Sequence, residues 1–148
     1  MNKRIWLLII GATIMFIIVL FFLEKQPEFE VISQEKLDDG TIIEELVFDY
    51  EKVYQLLDVL HYEFEEGVSL IVKNEQKEMY VIFQHPTTSY DNITSEIINN
   101  QLFIHFDSDD KVQQSENKIF KMSFHNKDFE FIKLFNNGEE DAFATIIM

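Results

Sequence analysis

Residues 68–84, VSLIVKNEQKEMYVIFQ, contain the pattern that decides the fold. Two runs rich in β-branched and aromatic residues, 68–74 and 78–84, flank a short polar segment, which is typical of a β-hairpin. Both runs are apolar on two faces over part of their length, as in strands that are covered on both sides. The sequence therefore predicts that this hairpin lies in a well-covered sheet.

Further strands are predicted on both sides of the hairpin. Two precede it, FEVIS (29–33) and TIIEELVF (41–48), and a turn signal at Asp38, Asp39 and Gly40 separates them. Later segments alternate between apolar and polar residues, as half-buried strands do. These segments are LFIHF (102–106), IFKMSF (119–124), FEFIKLF (129–135) and AFATII (142–147).

The last two segments are predicted to pair with each other across Asn136, Asn137 and Gly138, because Asn-Gly is a strong hairpin signal. The stretch 87–100 is ambiguous. Ile93 and Ile97 lie four residues apart and could belong to a short helix capped by Asp91, but a loop fits equally well.

One helix is predicted with a clear start. Asp49 can cap a helix over Tyr50–Leu60, and Phe48 and Val53 occupy the positions of a hydrophobic staple. The expected domain is a mainly-β α+β fold, an antiparallel sheet of about seven to eight strands with one or two helices packed on it. A sandwich with one helical crossover is the alternative.

The N-terminus predicts a single transmembrane helix before this domain. The uncharged run from Ile5 to Leu23 is long enough to cross a bilayer as a helix, and no small-residue cleavage site follows it, as in an uncleaved signal anchor. Trp6 suits the membrane interface, and Lys3 and Arg4 favour a cytoplasmic N-terminus. A cleaved secretory signal is the alternative.

The predicted organisation therefore has four parts and places the protein in the cell membrane, with a single pass and its C-terminal domain outside the cytoplasm. The parts are a cytoplasmic tail (1–4), the anchor (5–23), a connector (24–28) and an acidic β-rich domain (29–148). The abundance of Ile, Phe, Asn, Lys and Glu and the scarcity of Ala indicate an AT-rich bacterial genome.

The charge of the chain restricts its partners. After the anchor there are ten lysines and 27 carboxylates, a formal charge of −17. Nucleic-acid binding is therefore not expected, because phosphates require clustered Lys and Arg. The expected partners are the lipid bilayer, through the N-terminal helix, and a protein with a basic surface. The absence of cysteine excludes a disulfide scaffold.

The candidate metal ligands are weak. Asp107, Asp109 and Asp110 form the densest acidic segment, but Lys111 and Val112 occupy positions where a calcium loop requires an oxygen ligand and glycine. A polar turn between two strands is the better interpretation. The four histidines, His61, His85, His105 and His125, lack the short spacing of most metal sites.

No catalytic residue or cofactor is predicted. The sequence has no Gly-x-Ser-x-Gly elbow, no cysteine nucleophile and no Gly-rich phosphate loop. The predicted function is a non-catalytic binding module at the outer membrane face. A domain that responds to divalent cations and a wall-facing hydrolase that uses carboxylates are the alternatives. The many phenylalanines are expected in the core; they include Phe83, Phe103, Phe120, Phe124, Phe129, Phe131, Phe135 and Phe143.

Overall fold

The computed structural model describes residues 27–37, 40–57, 65–73, 77–125 and 129–148. Within these residues the chain forms one helix and ten strands. They are β1 (Val31–Lys36), β2 (Ile42–Leu46), α1 (Tyr50–Leu57), β3 (Gly67–Lys73), β4 (Glu78–Gln84), β5 (Ser89–Ile98), β6 (Gln101–Asp109), β7 (Lys118–Ser123), β8 (Phe131–Asn136), β9 (Glu139–Asp141) and β10 (Thr145–Ile147).

The strands form two sheets. Sheet A has six strands in the order β1-β2-β7-β4-β3-β10, and sheet B has four in the order β5-β6-β8-β9. The mainly-β prediction is confirmed, but one antiparallel sheet of about seven to eight strands is wrong. The ten strands divide between two sheets, and β10 pairs parallel with β3 while β6 pairs parallel with β8.

The predicted hairpin is confirmed at the centre of sheet A, where β3 and β4 pair antiparallel from Gly67 opposite Gln84 to Lys73 opposite Glu78. One face of β4, with Val81 and Phe83, packs into the core between the two sheets. The opposite face, with Tyr80, packs into the core beneath α1. The apolar character of both faces is therefore explained by three layers: α1, sheet A and sheet B.

The core between the sheets is rich in aromatic rings. Phe83 is fully buried, and its ring lies 5.3 Å from those of Tyr90 and Phe106 and 5.9 Å from that of Phe120, measured between ring centroids. Edge-to-face and tilted pairs at such distances add to the stabilisation from burial. Phe83 thus joins β4 to strands of both sheets.

The start of α1 follows the predicted cap. The Asp49 Oδ1 atom accepts hydrogen bonds from the backbone amides of Glu51 at 2.9 Å and Lys52 at 3.4 Å, which satisfies amides that have no partner within the helix. Phe48 packs against the same buried cluster as Val53, as the hydrophobic staple requires. The predicted end at Leu60 lies outside the described residues.

Residues 89–98 form a strand, so both interpretations of this stretch, a short helix and a loop, are wrong. Side chains four residues apart share one face of a strand as well as one face of a helix, so the Ile93 and Ile97 spacing was not decisive. Pairing with β6 selects the strand. The two strands join through Asn99 and Asn100, whose φ angles of 51° and 61° fit a type I′ turn.

The Asn-Gly turn is confirmed, but its predicted second strand is wrong. Asn137 and Gly138 have positive φ angles of 51° and 84°, as a type I′ turn requires. The strand that pairs with β8 across this turn is β9, whereas β10 crosses to sheet A and pairs with β3. The Ala144 amide donates to the Val68 carbonyl at 2.8 Å and starts that pairing.

The predicted anchor, residues 5–23, lies outside the described residues, as does His61. Within the part of the chain that the structure describes, no helix has the length and apolarity needed to cross a membrane. Residues 27–30 precede β1, and Phe29 packs against the cluster beneath α1.

Replacing Phe83 by alanine should lower the free energy of unfolding by about 3 to 5 kcal/mol, because the change leaves a cavity among buried rings. The matched control is Phe131→Ala, at a ring that is 60 % exposed, which should change it by less than about 0.5 kcal/mol. Urea denaturation of the purified full-length chain, followed by circular dichroism, measures both. Equal losses for the two variants would contradict this description of the core.

Candidate binding site

The two sheets have unequal widths, and this difference creates a cleft. The edge strand of sheet B, β5, lies over β7: the Lys118 Nζ atom of β7 donates to the Tyr90 carbonyl of β5 at 2.6 Å. Because β1 and β2 lie beyond β7 in sheet A, they extend past the edge of sheet B. The cleft at this overhang has a volume of about 490 Å³, and we call it the edge cleft.

The floor of the edge cleft is apolar near β7 and becomes acidic toward β1. Two rows of residues cross it, as the strand register shows. In one row Phe120 of β7 lies opposite Glu45 of β2. In the other, Met122 lies opposite Ile43, which in turn lies opposite Glu35 of β1. The cleft therefore offers carboxylates beside an apolar surface.

The carboxylates of the edge cleft carry charge that no described cation pairs with. Glu45 accepts a hydrogen bond from the Ser33 hydroxyl at 3.2 Å. Lys118 lines the same cleft, but its Nζ atom is bonded to the Tyr90 carbonyl and lies 3.4 Å from the Asp91 Oδ1 atom. Among the described residues, neither Glu35 nor Glu45 forms an ion pair.

The opposite wall of the edge cleft comes from β5, where Ser95 is the residue of most interest. Its hydroxyl oxygen is buried and has no hydrogen-bond partner within the described part of the chain. A buried polar group without a partner costs free energy, so each such group calls for an explanation.

Sequence reasoning did not find this site. In β2, Glu44 and Glu45 are consecutive, so they point to opposite faces of the strand, and one of them must face the interior. That alternation was the available signal. It became meaningful only once the widths of the two sheets were known, because sheet B leaves Glu45 uncovered.

The three candidate metal ligands point to different partners. Asp107 accepts from the Asn92 side chain at 2.7 Å, Asp109 from the Lys111 backbone amide at 3.0 Å, and Asp110 from the Thr88 hydroxyl at 2.9 Å. Strand β6 continues to Asp109, so Asp107 and Asp109 lie in the strand and the turn begins later than predicted. Within the described ranges, no group of three or more acidic or histidine side chains is arranged to hold a metal ion.

The described histidines lie apart. His105 is on the outer face of sheet B, where its ring stacks on Phe135 at 5.1 Å and its Nε2 atom lies 3.2 Å from the Glu96 carboxylate. His85 directly follows β4, and His125 is exposed two residues after β7. His61 lies outside the described residues.

An acid, imidazole and hydroxyl do line up at the end of β4. The His85 ring lies 3.3 Å from the Glu66 carboxylate through Nε2 and 3.0 Å from the Thr88 hydroxyl through Nδ1. Such a chain can activate a nucleophile when the hydroxyl faces a substrate. Here the Thr88 hydroxyl donates to Asp110, and the residue is only 6 % exposed. The group therefore joins the loops and presents no nucleophile.

Four of the eight phenylalanines expected in the core are buried, namely Phe83, Phe120, Phe124 and Phe129. Phe143 is partly buried and packs against the core between the sheets, whereas Phe131 lies exposed on the outer face of sheet B. Phe103 and Phe135 share that face and are half-buried, with ring centroids 6.0 Å apart. The alternation of β6 and β8 places one set of aromatic side chains in the core and the other set on the surface.

A half-buried ion pair lies on the other face of sheet A. The Lys121 Nζ atom is 3.0 Å from the Glu78 carboxylate and 5.9 Å from the centre of the Tyr80 ring. Burial would lower the pKa of Lys121, but the hydrogen bond to Glu78 and the nearby Tyr80 raise the pKa above its usual value. Burial raises the pKa of the Tyr80 phenol.

These pKa shifts predict a loss of stability at alkaline pH. A group whose pKa is raised by folding stabilises the folded protein below its unfolded pKa, and this contribution is lost as the pH rises through the folded pKa. The free energy of unfolding should therefore fall as the pH rises above about 10, the pKa of an unfolded tyrosine. The Tyr80→Phe variant should show a shallower fall in urea denaturation. An unchanged slope would contradict the contribution of Tyr80.

No family model, curated protein or solved structure matches this chain.

Proposed function

We propose that this protein is a single-pass, membrane-anchored binding module that holds its acidic β-rich domain at the outer face of the membrane. The edge cleft binds a basic segment of a partner protein. One observation carries this proposal. Glu35 and Glu45 lack a cationic partner among the described residues, and they lie in the same cleft as an apolar floor.

The chemistry of the edge cleft favours lysine or arginine in the partner. The aliphatic part of these side chains can lie on apolar surface while the charged end reaches a carboxylate. Ile43 and Met122 provide the apolar surface, and Glu45 and Glu35 lie next to them along the two rows. The overall charge of −17 after the anchor supports the same choice, because it attracts cationic partners and repels anionic ones.

The location of the binding module is supported by the sequence of residues 1–25. The uncharged run from Ile5 to Leu23 has the length of a membrane span, and Lys3 and Arg4 precede it. The connector 24–28 is short, so the domain would lie close to the bilayer. A cation-responsive domain is an alternative, although no group of three or more His, Asp or Glu side chains among the described residues is arranged to hold a metal ion. A carboxylate hydrolase is the other alternative.

The topology can be tested by cysteine labelling, because the chain contains no cysteine. Gln113 is exposed in the loop after β6, so the Gln113→Cys variant should react with a membrane-impermeant maleimide on intact cells. The control variant, Asn2→Cys, should react only after lysis. The reverse pattern would contradict the proposed orientation, and recovery of labelled protein from the medium would favour a cleaved signal.

The ligand class can be tested with a synthetic peptide of alternating lysine and valine. Replacing both cleft carboxylates, Glu35→Gln with Glu45→Gln, should weaken binding of this peptide about three- to tenfold, because two partly exposed ion pairs are lost. The full-length protein in a non-ionic detergent is titrated by calorimetry. A peptide of alternating glutamate and valine should not bind.

The matched control for this experiment is the double variant Glu130→Gln with Glu139→Gln. Both residues are exposed, and they lie at the β8 and β9 side of sheet B, away from the edge cleft. The change in net charge is the same, so binding should weaken by less than about twofold. Equal losses for the two double variants would show that net charge, rather than the edge cleft, attracts the peptide.

A further inference from the structure

We infer that the basic segment binds in the edge cleft as an added β-strand, paired with the free edge of β5 as a fifth strand of sheet B. This inference rests on the proposed function and specifies how the ligand is held. Extended peptides bind sheet edges through backbone hydrogen bonds, while alternate side chains enter pockets and provide specificity. Three features of the described residues point to β5.

The first feature is the direction of the backbone groups of β5. The two-residue turn at Asn99 and Asn100 places Ile98 and Gln101 in a hydrogen-bonded pair. Hydrogen-bonded and non-hydrogen-bonded pairs alternate along an antiparallel ladder, so Glu96 and Thr94 also bond to β6. Ser95 and Ile97 therefore direct their amide and carbonyl groups away from β6, toward the free edge.

The second feature is the uncovered part of sheet A. Neighbouring strands in a sheet lie about 4.8 Å apart, and stacked sheets lie about 10 Å apart. A strand added to β5 would therefore lie beside β5 in sheet B and face the overhang formed by β2 and β1. A strand added instead to the edge of β1 would widen sheet A and leave still more of its inner face uncovered. Addition to β5 is therefore the pairing that closes the edge cleft.

The third feature is Ser95 itself. Its backbone groups face the free edge, and its buried hydroxyl oxygen has no hydrogen-bond partner among the described residues. Ser95 also lines the edge cleft. An added strand would bring backbone donors and acceptors next to the main-chain groups of this residue.

The usable edge is short and has a fixed start. The register of β5 shifts between Asp91 and Thr94, where Asn92 adopts a positive φ of 51°. Such a bulge interrupts regular pairing and protects an edge from unwanted strands. The free edge therefore runs from Thr94 to Ile98, which suits a peptide that places two alternate side chains over the cleft floor.

The two rows of cleft residues determine which side chains the added strand should carry on its inward face. Residues at alternate positions face sheet A, and neighbouring inward positions meet different rows. One inward side chain meets Glu45 beside Phe120, and the next meets Ile43 with Glu35 beyond it. The ligand class is thus an extended segment with lysine or arginine at alternate positions.

Amide hydrogen exchange of the full-length protein in detergent micelles tests this inference, with the peptide of alternating lysine and valine as the probe. At saturating peptide, exchange of the Ser95 and Ile97 amides should slow by about tenfold or more, because they gain partners. The Thr94 and Glu96 amides, which bond to β6, should change little. A peptide with the same sequence but N-methylated at alternate backbone amides should bind at least about tenfold more weakly.

The outcomes separate the two proposals. If the peptide binds and its affinity depends on Glu35 and Glu45, but exchange of Ser95 and Ile97 is unchanged, the added strand is overturned while the proposed function stands. If N-methylation does not weaken binding, the added strand is likewise overturned. If the lysine-valine peptide does not bind at all, both proposals fail.

Discussion

The structure depends on the burial of the β3 and β4 hairpin from both sides. Each strand carries apolar side chains on both of its faces, so each face needs a partner that excludes water. Sheet B covers one face and α1 covers the other, so Phe83 and Tyr80, although close in sequence, belong to separate cores. Within sheet A, β7 extends the hairpin on the side of β4, and β10 extends it on the side of β3.

Local signals in the sequence were sufficient for the central hairpin, the Asp49 cap and the Asn137 and Gly138 turn, because each depends on residues close together in the chain. Two results depend on pairing between distant segments, the division into two sheets and the parallel pairing of β10 with β3. No local pattern encodes them. The edge cleft could not be predicted for the same reason, since Glu45 lines a cleft only because sheet B does not extend over β2.

The two edges of sheet B carry features that limit pairing with other copies of the chain. At one edge of sheet B, β9 is short and wholly acidic, and at the other, β5 contains a bulge. Charge and bulges are the usual means by which edge strands avoid aggregation. In the proposed function the same acidic charge has a second effect, because it repels another copy of this domain while attracting a cationic segment.

The pairing of distant strands also has a kinetic consequence. In sheet A, Ile42 pairs with Ser123, and Ser69 pairs with Thr145, so large parts of the chain must come together before the sheet is complete. Folding slows as contacts become more distant in sequence, and β-sandwiches fold in milliseconds to seconds. Sheet A cannot be completed until residues 145–147 are available to pair with β3. Under the proposed topology, sheet A would therefore close only after β10 had reached the outer side of the membrane.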